Sequence, residues 1–215
     1  MAKPVNHIVP VKISPPVLKT PQGSFKAFTD DELSSIVRAF ENWLNQAKGQ
    51  KQWKLRARHW IVFLLLRYTG ARVSEVLAID DIRDMDFRQA EIRLITLKRH
   101  SKNTQYRTVP VPPSVIGETG RILADAPELR GRLFKTSRVS FFRHFQSLAA
   151  QAGIPEDLRH PHTLRHTRAI EMLRAGVPIT VVQDILGHSA LTTTAMYLKL
   201  SGQEAKAILK DRGLI

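Results

Sequence analysis

The sequence of 215 residues contains no cysteine. Disulfide bonds, zinc sites with thiolate ligands and cysteine nucleophiles are therefore excluded. Long apolar runs are also missing, since the longest covers only residues 60–66 and a membrane span needs roughly 18 apolar residues. The N-terminus lacks the apolar core of a signal peptide. We therefore expect a cytoplasmic protein that is not embedded in a membrane.

Acidic residues are scarce relative to basic ones. The chain has 33 Lys and Arg against 19 Asp and Glu, a formal net charge of +14. Basic proteins bind nucleic acid largely by displacing the counterions that surround its phosphates. The charge therefore favours a nucleic-acid partner, although a merely soluble basic protein or a membrane-surface binder would share it.

Residues 1–24 carry five prolines and several lysines. Proline at this density opposes both helix and sheet. The composition predicts a basic, proline-rich N-terminal arm over 1–24, which either follows DNA or is a disordered tail.

The remaining chain is predicted to be mainly α-helical, with a small antiparallel sheet. Thr29 and Glu32 form the pattern of a capping box, followed by apolar residues at helical spacing up to residue 46. A second helix over 53–68 should end at Gly70, a residue suited to a left-handed helix cap. Residues 90–98 and 106–111 alternate as two strands, so the polar residues between them form a hairpin tip.

Further helices are predicted over 115–124, 163–175 and 178–186, with Gly187 as the end of the last of these. Another helix should end at Gly153, with an apolar face that faces the core; the residues of that face are Phe141, Phe142, Phe145, Leu148 and Ala149. A final amphipathic helix is expected over 203–210.

Two short segments near the C-terminus carry side chains suited to phosphate chemistry. His162 and Arg165 are three residues apart and share one face of a helix. His188 follows the glycine that ends a helix, and Tyr197 supplies a hydroxyl group. An arginine offers a planar fork for two phosphate oxygens, and a tyrosine activated by nearby cations can attack phosphorus. This set predicts attack on a phosphodiester, whose transition state spreads negative charge over oxygen atoms.

Four segments in this order resemble the signature motifs of the tyrosine recombinases, the family of lambda-type integrases, Xer-type recombinases and short fimbrial-switch invertases. They are Thr69-Gly70-Ala71-Arg72-Val73-Ser74-Glu75, His162-Thr163-Leu164-Arg165-His166-Thr167, Leu186-Gly187-His188 and Tyr197. The resemblance covers residues of about 28 to 200. It implies a catalytic domain with the DNA breaking-rejoining enzyme fold, over residues 25–202.

The resemblance also implies a role for each matched residue. Arg72 and Arg165 correspond to the arginines that clamp the phosphate, and His162 and His188 to the two histidine positions of the family. Tyr197 corresponds to the nucleophile. Two further residues, Glu75 and His166, would orient these groups.

The hairpin is implied to supply a lysine that protonates the leaving 5′ oxygen. Lys98 corresponds to it, although this chain has Leu97-Lys98-Arg99 where the family often has Gly-Lys-Gly. Lys102, on the hairpin tip, is the alternative. Arg99 and Lys102 are also expected to contact DNA.

The family's activity would require neither a cofactor nor a metal. Its expected partners are double-stranded DNA recombination sites and accessory DNA-bending proteins. The protein would be a monomer when free and would form a homotetramer on DNA. Residues 203–215 would then dock on a neighbouring protomer. Only about 25 residues precede the first predicted helix, too few for the separate core-binding domain that most members carry, so the chain resembles the short members or a fragment.

Three other functions fit parts of the pattern. His162 and His166 are four residues apart, like zinc ligands of metallohydrolases, but Thr163 stands where that motif requires a glutamate base. A non-catalytic DNA-binding regulator would explain the charge but not the four ordered motifs. A type IB-like topoisomerase would use the same tyrosyl chemistry on a related domain.

Overall fold

The computed structural model describes residues 26–96 and 105–188, together with Thr194, Ala195 and Tyr197. The proposed arm over 1–24, the hairpin tip with Lys98, Arg99 and Lys102, and the proposed segment over 203–215 lie outside the described residues. No helix in the described part of the chain is long and apolar enough to cross a membrane.

The fold is mainly helical, with one small sheet, as predicted. The α-helices are α1 (Asp30–Asn45), α2 (Trp53–Thr69), α3 (Val73–Val76), α4 (Pro113–Asp125), α5 (Arg138–Gln151), α6 (Pro161–Arg174) and α7 (Ile179–Leu186). The strands are β1 (Met85–Asp86), β2 (Glu91–Thr96) and β3 (Gln105–Pro110). Two 3₁₀ turns, Pro127–Leu129 and Glu156–Leu158, connect helices.

Helix α2 forms the centre of the core. It is buried around most of its circumference and packs against α1, α4 and α6. Phe63 of α2 stacks on Phe40 of α1, with ring centroids 4.2 Å apart. A helix that is apolar on all sides needs neighbours on all sides. The ends of α2 are therefore held firmly, and one of them leads directly to Arg72.

The sheet is a three-stranded antiparallel meander in the order β1-β2-β3. In the β2–β3 register, Ile92 lies opposite Val109 and Leu94 opposite Arg107. Ile92, Leu94 and Val109 are fully or almost fully buried. Arg107 therefore lies on the inward face of the sheet, among apolar side chains.

Most predicted boundaries agree with the structure. The capping box of Thr29 and Glu32 begins α1, and Gly70 ends α2 with φ of 62°. Strand β1 was not predicted, since two residues are too few to show a period.

The prediction that Phe142 belongs to the core is wrong. Its side chain is 36% exposed and lies beside His160, because it follows Phe141 on α5 and so turns out of the buried face.

Candidate active site

The turn after α2 brings Arg72 to the first turn of α3. Gly70 adopts the left-handed conformation and reverses the chain, and Arg72 becomes the N-cap residue of α3. The side chain of Glu75 accepts hydrogen bonds from the Arg72 backbone nitrogen and from Arg72 Nη1, both at 2.9 Å. The carboxylate thereby fixes both ends of Arg72.

Helix α6 supplies three of the predicted site residues. It begins at Pro161, two residues earlier than expected, so His162, Arg165 and His166 all lie on it. Arg165 is 2% exposed, and its Nη1 donates to the Gly70 carbonyl oxygen at 2.8 Å. This hydrogen bond ties the second predicted phosphate-binding arginine to the turn that presents the first.

A salt bridge holds α2 and α6 together at this level. Arg67 donates from Nη1 and Nη2 to the two carboxylate oxygens of Glu171, both at 2.7 Å. A two-pronged pair of this kind fixes orientation as well as distance. This salt bridge therefore helps to fix the positions of Arg72 and Arg165 relative to each other.

Tyr197 lies inside the site. Its side chain is 1% exposed, and its hydroxyl oxygen lies 2.7 Å from Nδ1 of His166. The ring of His188 stacks on the tyrosine ring, with centroids 6.1 Å apart. His162 makes an edge-to-face contact with His166, at 4.6 Å between ring centroids.

His188 follows the left-handed Gly187 that ends α7. Its Nδ1 lies 2.8 Å from Oγ1 of Thr194, a fully buried residue. This contact orients the imidazole ring against Tyr197. Thr194 was not predicted, and only its proximity in sequence to Tyr197 could have drawn attention to it.

The site is short of negative charge. Burial, followed by the charge of Arg72, lowers the pKa of Arg165 to about 10. Burial and neighbouring positive groups lower the pKa of His166 to about 4 and that of His188 to about 3, and they also lower the pKa of His162. All three histidines are therefore neutral at pH 7.

Burial raises the pKa of Tyr197, although the charges of Arg165 and Arg72 act in the opposite direction. The phenol is therefore protonated at neutral pH in this arrangement. A negatively charged ligand would be needed to balance the two arginines, and a phosphate group matches that requirement.

The carboxylate of Glu75 contacts both Arg72 and a third arginine. Arg107, on β3, donates from Nη2 to Glu75 at 2.8 Å. Burial would raise the pKa of Glu75, but its hydrogen bond and attraction to Arg107, with those to Arg72, outweigh burial and lower it. Sequence analysis missed Arg107 because nothing in an alternating strand pattern distinguishes an inward-facing arginine.

No group of three potential metal ligands gathers among residues 26–96 and 105–188 with Thr194, Ala195 and Tyr197. His162 and His166 lie close together, but within that part of the chain no third histidine, aspartate or glutamate joins them in the geometry of a metal site. The arrangement does not fit the zinc-hydrolase alternative.

Comparison with known proteins identifies the family of this chain. The model of the phage integrase family matches residues 26–204. The chain belongs to the phage integrase family, that of the tyrosine recombinases. A tyrosine recombinase of Thermosipho africanus is 33% identical over 183 residues, which is 82% of this chain and 58% of that protein.

Solved structures of this family share the fold. The crystal structure of XerA recombinase is 25% identical and superimposes with a TM-score of 0.65, over 96% of this chain and 68% of that one. The structure of XerH recombinase bound to its palindromic difH substrate has a TM-score of 0.68, over 87% of this chain and 52% of that one, at 19% identity. The chain thus spans little more than half the length of several members that it matches.

The close packing at Gly70 generates a prediction for stability. A Cβ added there would lie 2.6 Å from Cδ2 of the fully buried Leu186, whereas one added at Gly176 would meet nothing within 4 Å. Both glycines have positive φ, so Gly70→Ala and Gly176→Ala share the backbone strain. We expect Gly70→Ala to lower the free energy of unfolding by about 1–3 kcal/mol more than Gly176→Ala. Denaturant titration measures the difference, and equal losses would show that Leu186 can move away.

Proposed function

We propose that this chain is a site-specific DNA recombinase, which cuts and rejoins DNA strands through a 3′-phosphotyrosyl intermediate. Membership of the tyrosine recombinase family supports the reaction type, and the net charge of +14 supports a DNA substrate. The outcome of the reaction would be integration, inversion or resolution.

One observation carries the proposal: two arginines converge beside a buried tyrosine, in a site with too little negative charge. Nη2 of Arg165 is buried and has no hydrogen-bond partner within the described residues. Burying a guanidinium with an unused donor is costly, and a phosphate oxygen is the kind of group that would satisfy it. Arg72 is 38% exposed, so it can meet a phosphate that approaches from solvent.

In the proposed reaction, the Tyr197 oxygen attacks phosphorus while its proton passes to one of the neighbouring neutral histidines. The bond from phosphorus to the 5′ oxygen breaks, and that oxygen takes a proton from Lys98 or, alternatively, Lys102. Arg72 and Arg165 stabilise the charge that develops on the non-bridging oxygens. The 5′-hydroxyl of the partner strand then attacks the phosphotyrosyl bond and releases Tyr197. Because the bond energy is kept in the protein–DNA linkage, this scheme uses no cofactor and no metal.

The histidines fit supporting roles in this scheme. His162 and His188, both neutral at pH 7, would donate hydrogen bonds to the phosphate without adding repulsion to the arginines. His166 would hold the phenol before attack, and Glu75 would orient Arg72. Since Tyr197 is only 1% exposed, its phenol must leave its contact with His166 to reach a phosphate.

Assembly belongs to the same proposal. Two DNA sites would be joined by four protomers, each monomeric when free, with accessory DNA-bending proteins as possible helpers. Residues 203–215 would pass to a neighbouring protomer, and a head-to-tail exchange of this kind closes into a ring. The arm over 1–24 and the basic residues Arg99 and Lys102 would add contacts to DNA.

Two other functions remain distinguishable by experiment. A DNA-binding regulator would bind DNA without forming a covalent adduct. A type IB-like topoisomerase would form the adduct and relax supercoils, but it would not exchange strands between two sites.

The first prediction tests the nucleophile. We expect Tyr197→Phe to abolish covalent protein–DNA adducts on a nicked suicide substrate and to leave gel-shift binding nearly intact, because only the hydroxyl is lost. Tyr106→Phe is the matched control, since Tyr106 is 55% exposed on the sheet, and it should form adducts normally. Adducts formed by the Tyr197 variant would disprove the assignment.

The second prediction tests the phosphate clamp. Arg165→Lys keeps the positive charge but loses the planar fork. We expect cleavage to slow by at least ~100-fold, about 2.7 kcal/mol. Arg168→Lys, three residues along α6, should cleave at close to the unmodified rate. Single-turnover cleavage measures both variants, and unchanged cleavage by the Arg165 variant would mean that this residue does not bind the reacting phosphate.

The third prediction identifies the general acid on the hairpin. A bridging 5′-phosphorothioate leaves without protonation, so it should restore cleavage to a variant that lacks the general acid. We expect Lys98→Ala to be restored in this way, while Lys102→Ala is barely impaired on ordinary DNA. The opposite result would transfer the role to Lys102.

A further inference from the structure

Arg107 is an inward-facing arginine of β3 whose side chain is 10% exposed. Among the described residues, its guanidinium makes four hydrogen bonds. Their acceptors lie on three separate segments: the α3 carboxylate of Glu75, the α7 carbonyl of Ile185, and Ile95 and Thr96 at the end of β2. Most of its donors are therefore used by the protein itself. Each of the three segments leads to a different residue of the proposed active site.

The first segment is α3. Glu75 is fully buried, and Arg107 Nη2 donates to the same Oε2 atom that accepts the Arg72 backbone N–H. The other carboxylate oxygen accepts from the Arg72 guanidinium. A carboxylate buried to this extent needs a counter-charge to remain ionised. Arg107 provides this counter-charge, and it thereby fixes the carboxylate that orients Arg72.

The second segment is the end of α7. Arg107 Nε donates at 2.8 Å to the carbonyl oxygen of Ile185, one of the last-turn carbonyls that lack a partner within a helix. A cation at this end also complements the helix dipole. The guanidinium lies flat against Gly187, since a Cβ there would be 2.8 Å from Nη1 and 2.9 Å from Cζ. The next residue is His188, so the position of that imidazole depends on this contact.

The third segment is the end of β2. Arg107 Nη1 donates at 3.2 Å to Oγ1 of Thr96, and at 3.4 Å to the carbonyl oxygen of Ile95. Thr96 is the last residue of the strand and precedes Lys98 by two positions. The contact fixes the point from which the hairpin tip leaves the sheet.

We propose that Arg107 is a positioning residue. It fixes the positions of Arg72, His188 and the base of the β2–β3 hairpin relative to one another, without itself binding the phosphate. The inference rests on the proposed recombinase function. Lysine cannot replace it, because one ammonium group on a flexible stem cannot reach four acceptors on three separate segments. The residue acts on catalysis through the three groups that it aligns.

The experiment compares Arg107→Lys with Arg93→Lys. Arg93 is also an arginine of the sheet, but it faces outward, pairs with Asp84 and is 48% exposed. We expect single-turnover cleavage by Arg107→Lys to fall by at least ~30-fold, about 2 kcal/mol. Its affinity for DNA should stay close to that of the unmodified protein, whereas the loss of buried hydrogen bonds should lower its melting temperature. Arg93→Lys should change none of the three. A role limited to stability would lower the melting temperature and DNA binding together, and a cleavage rate unchanged by Arg107→Lys would overturn the proposal.

A second measurement needs no DNA. Hydrogen–deuterium exchange should become faster in Arg107→Lys at residues 72–77 and 183–188 together, and neither segment should change in Arg93→Lys. Faster exchange in only one segment, or in neither, would contradict the proposal that Arg107 positions both segments. If the unmodified protein forms no adduct that depends on Tyr197, the proposed function fails. The exchange measurement still tests whether Arg107 positions the two segments together.

A glycine variant covers the case in which Arg107→Lys does not fold. Gly187→Ala would push the end of α7 away from the guanidinium, whereas Gly176→Ala introduces a similar backbone strain in open space. We expect Gly187→Ala to slow cleavage by at least ~10-fold relative to Gly176→Ala. Equal cleavage rates in the two variants would show that the contact with Arg107 does not position His188.

Discussion

The buried carboxylate of Glu75 offsets part of the positive charge that the arginines bring to the candidate site. Glu75 is completely enclosed, yet it stays ionised because Arg72 and Arg107 donate to it from two sides. Without a negative charge at this point, the arginines would repel one another in a poorly solvated space. Arg165 then reaches the same region through the Gly70 carbonyl oxygen. The geometry of the whole candidate site therefore depends on the position of one side chain on a four-residue helix.

The same balance explains the state of the other groups. Glu75 compensates only part of the charge of three arginines. Burial first, and then the neighbouring positive groups, lower the pKa values of the three histidines, which therefore remain neutral. Burial keeps Tyr197 protonated despite those cations. A bound phosphodiester would add the missing negative charge and share hydrogen bonds with the arginines. The proposed function would use this arrangement, because groups that are fixed in advance can stabilise a charge that develops during a reaction.

Much of the helical framework could be predicted from sequence because its signals are local. The capping box at Thr29, the apolar period of α1 and the left-handed glycine at position 70 each depend on a few neighbouring residues. Strand β1 escaped prediction because its two residues gain their conformation from pairing with β2. Phe142 was misassigned because an aromatic side chain next to a buried face can point away from it.

The sequence alone determined which chemical groups are present and in what order. The absence of cysteine, the excess of basic residues and the motifs around Arg72, Arg165, His188 and Tyr197 were enough to indicate the family. Only the tertiary structure decided how those groups pair. His162 and His166 share one face of α6, so helical spacing could not tell which of them meets Tyr197; packing between distant segments brings His166 to the phenol. Arg107 likewise looks like any strand residue until β3, α3 and the end of α7 converge on it, because its partners lie 32 and 78 residues away in the chain.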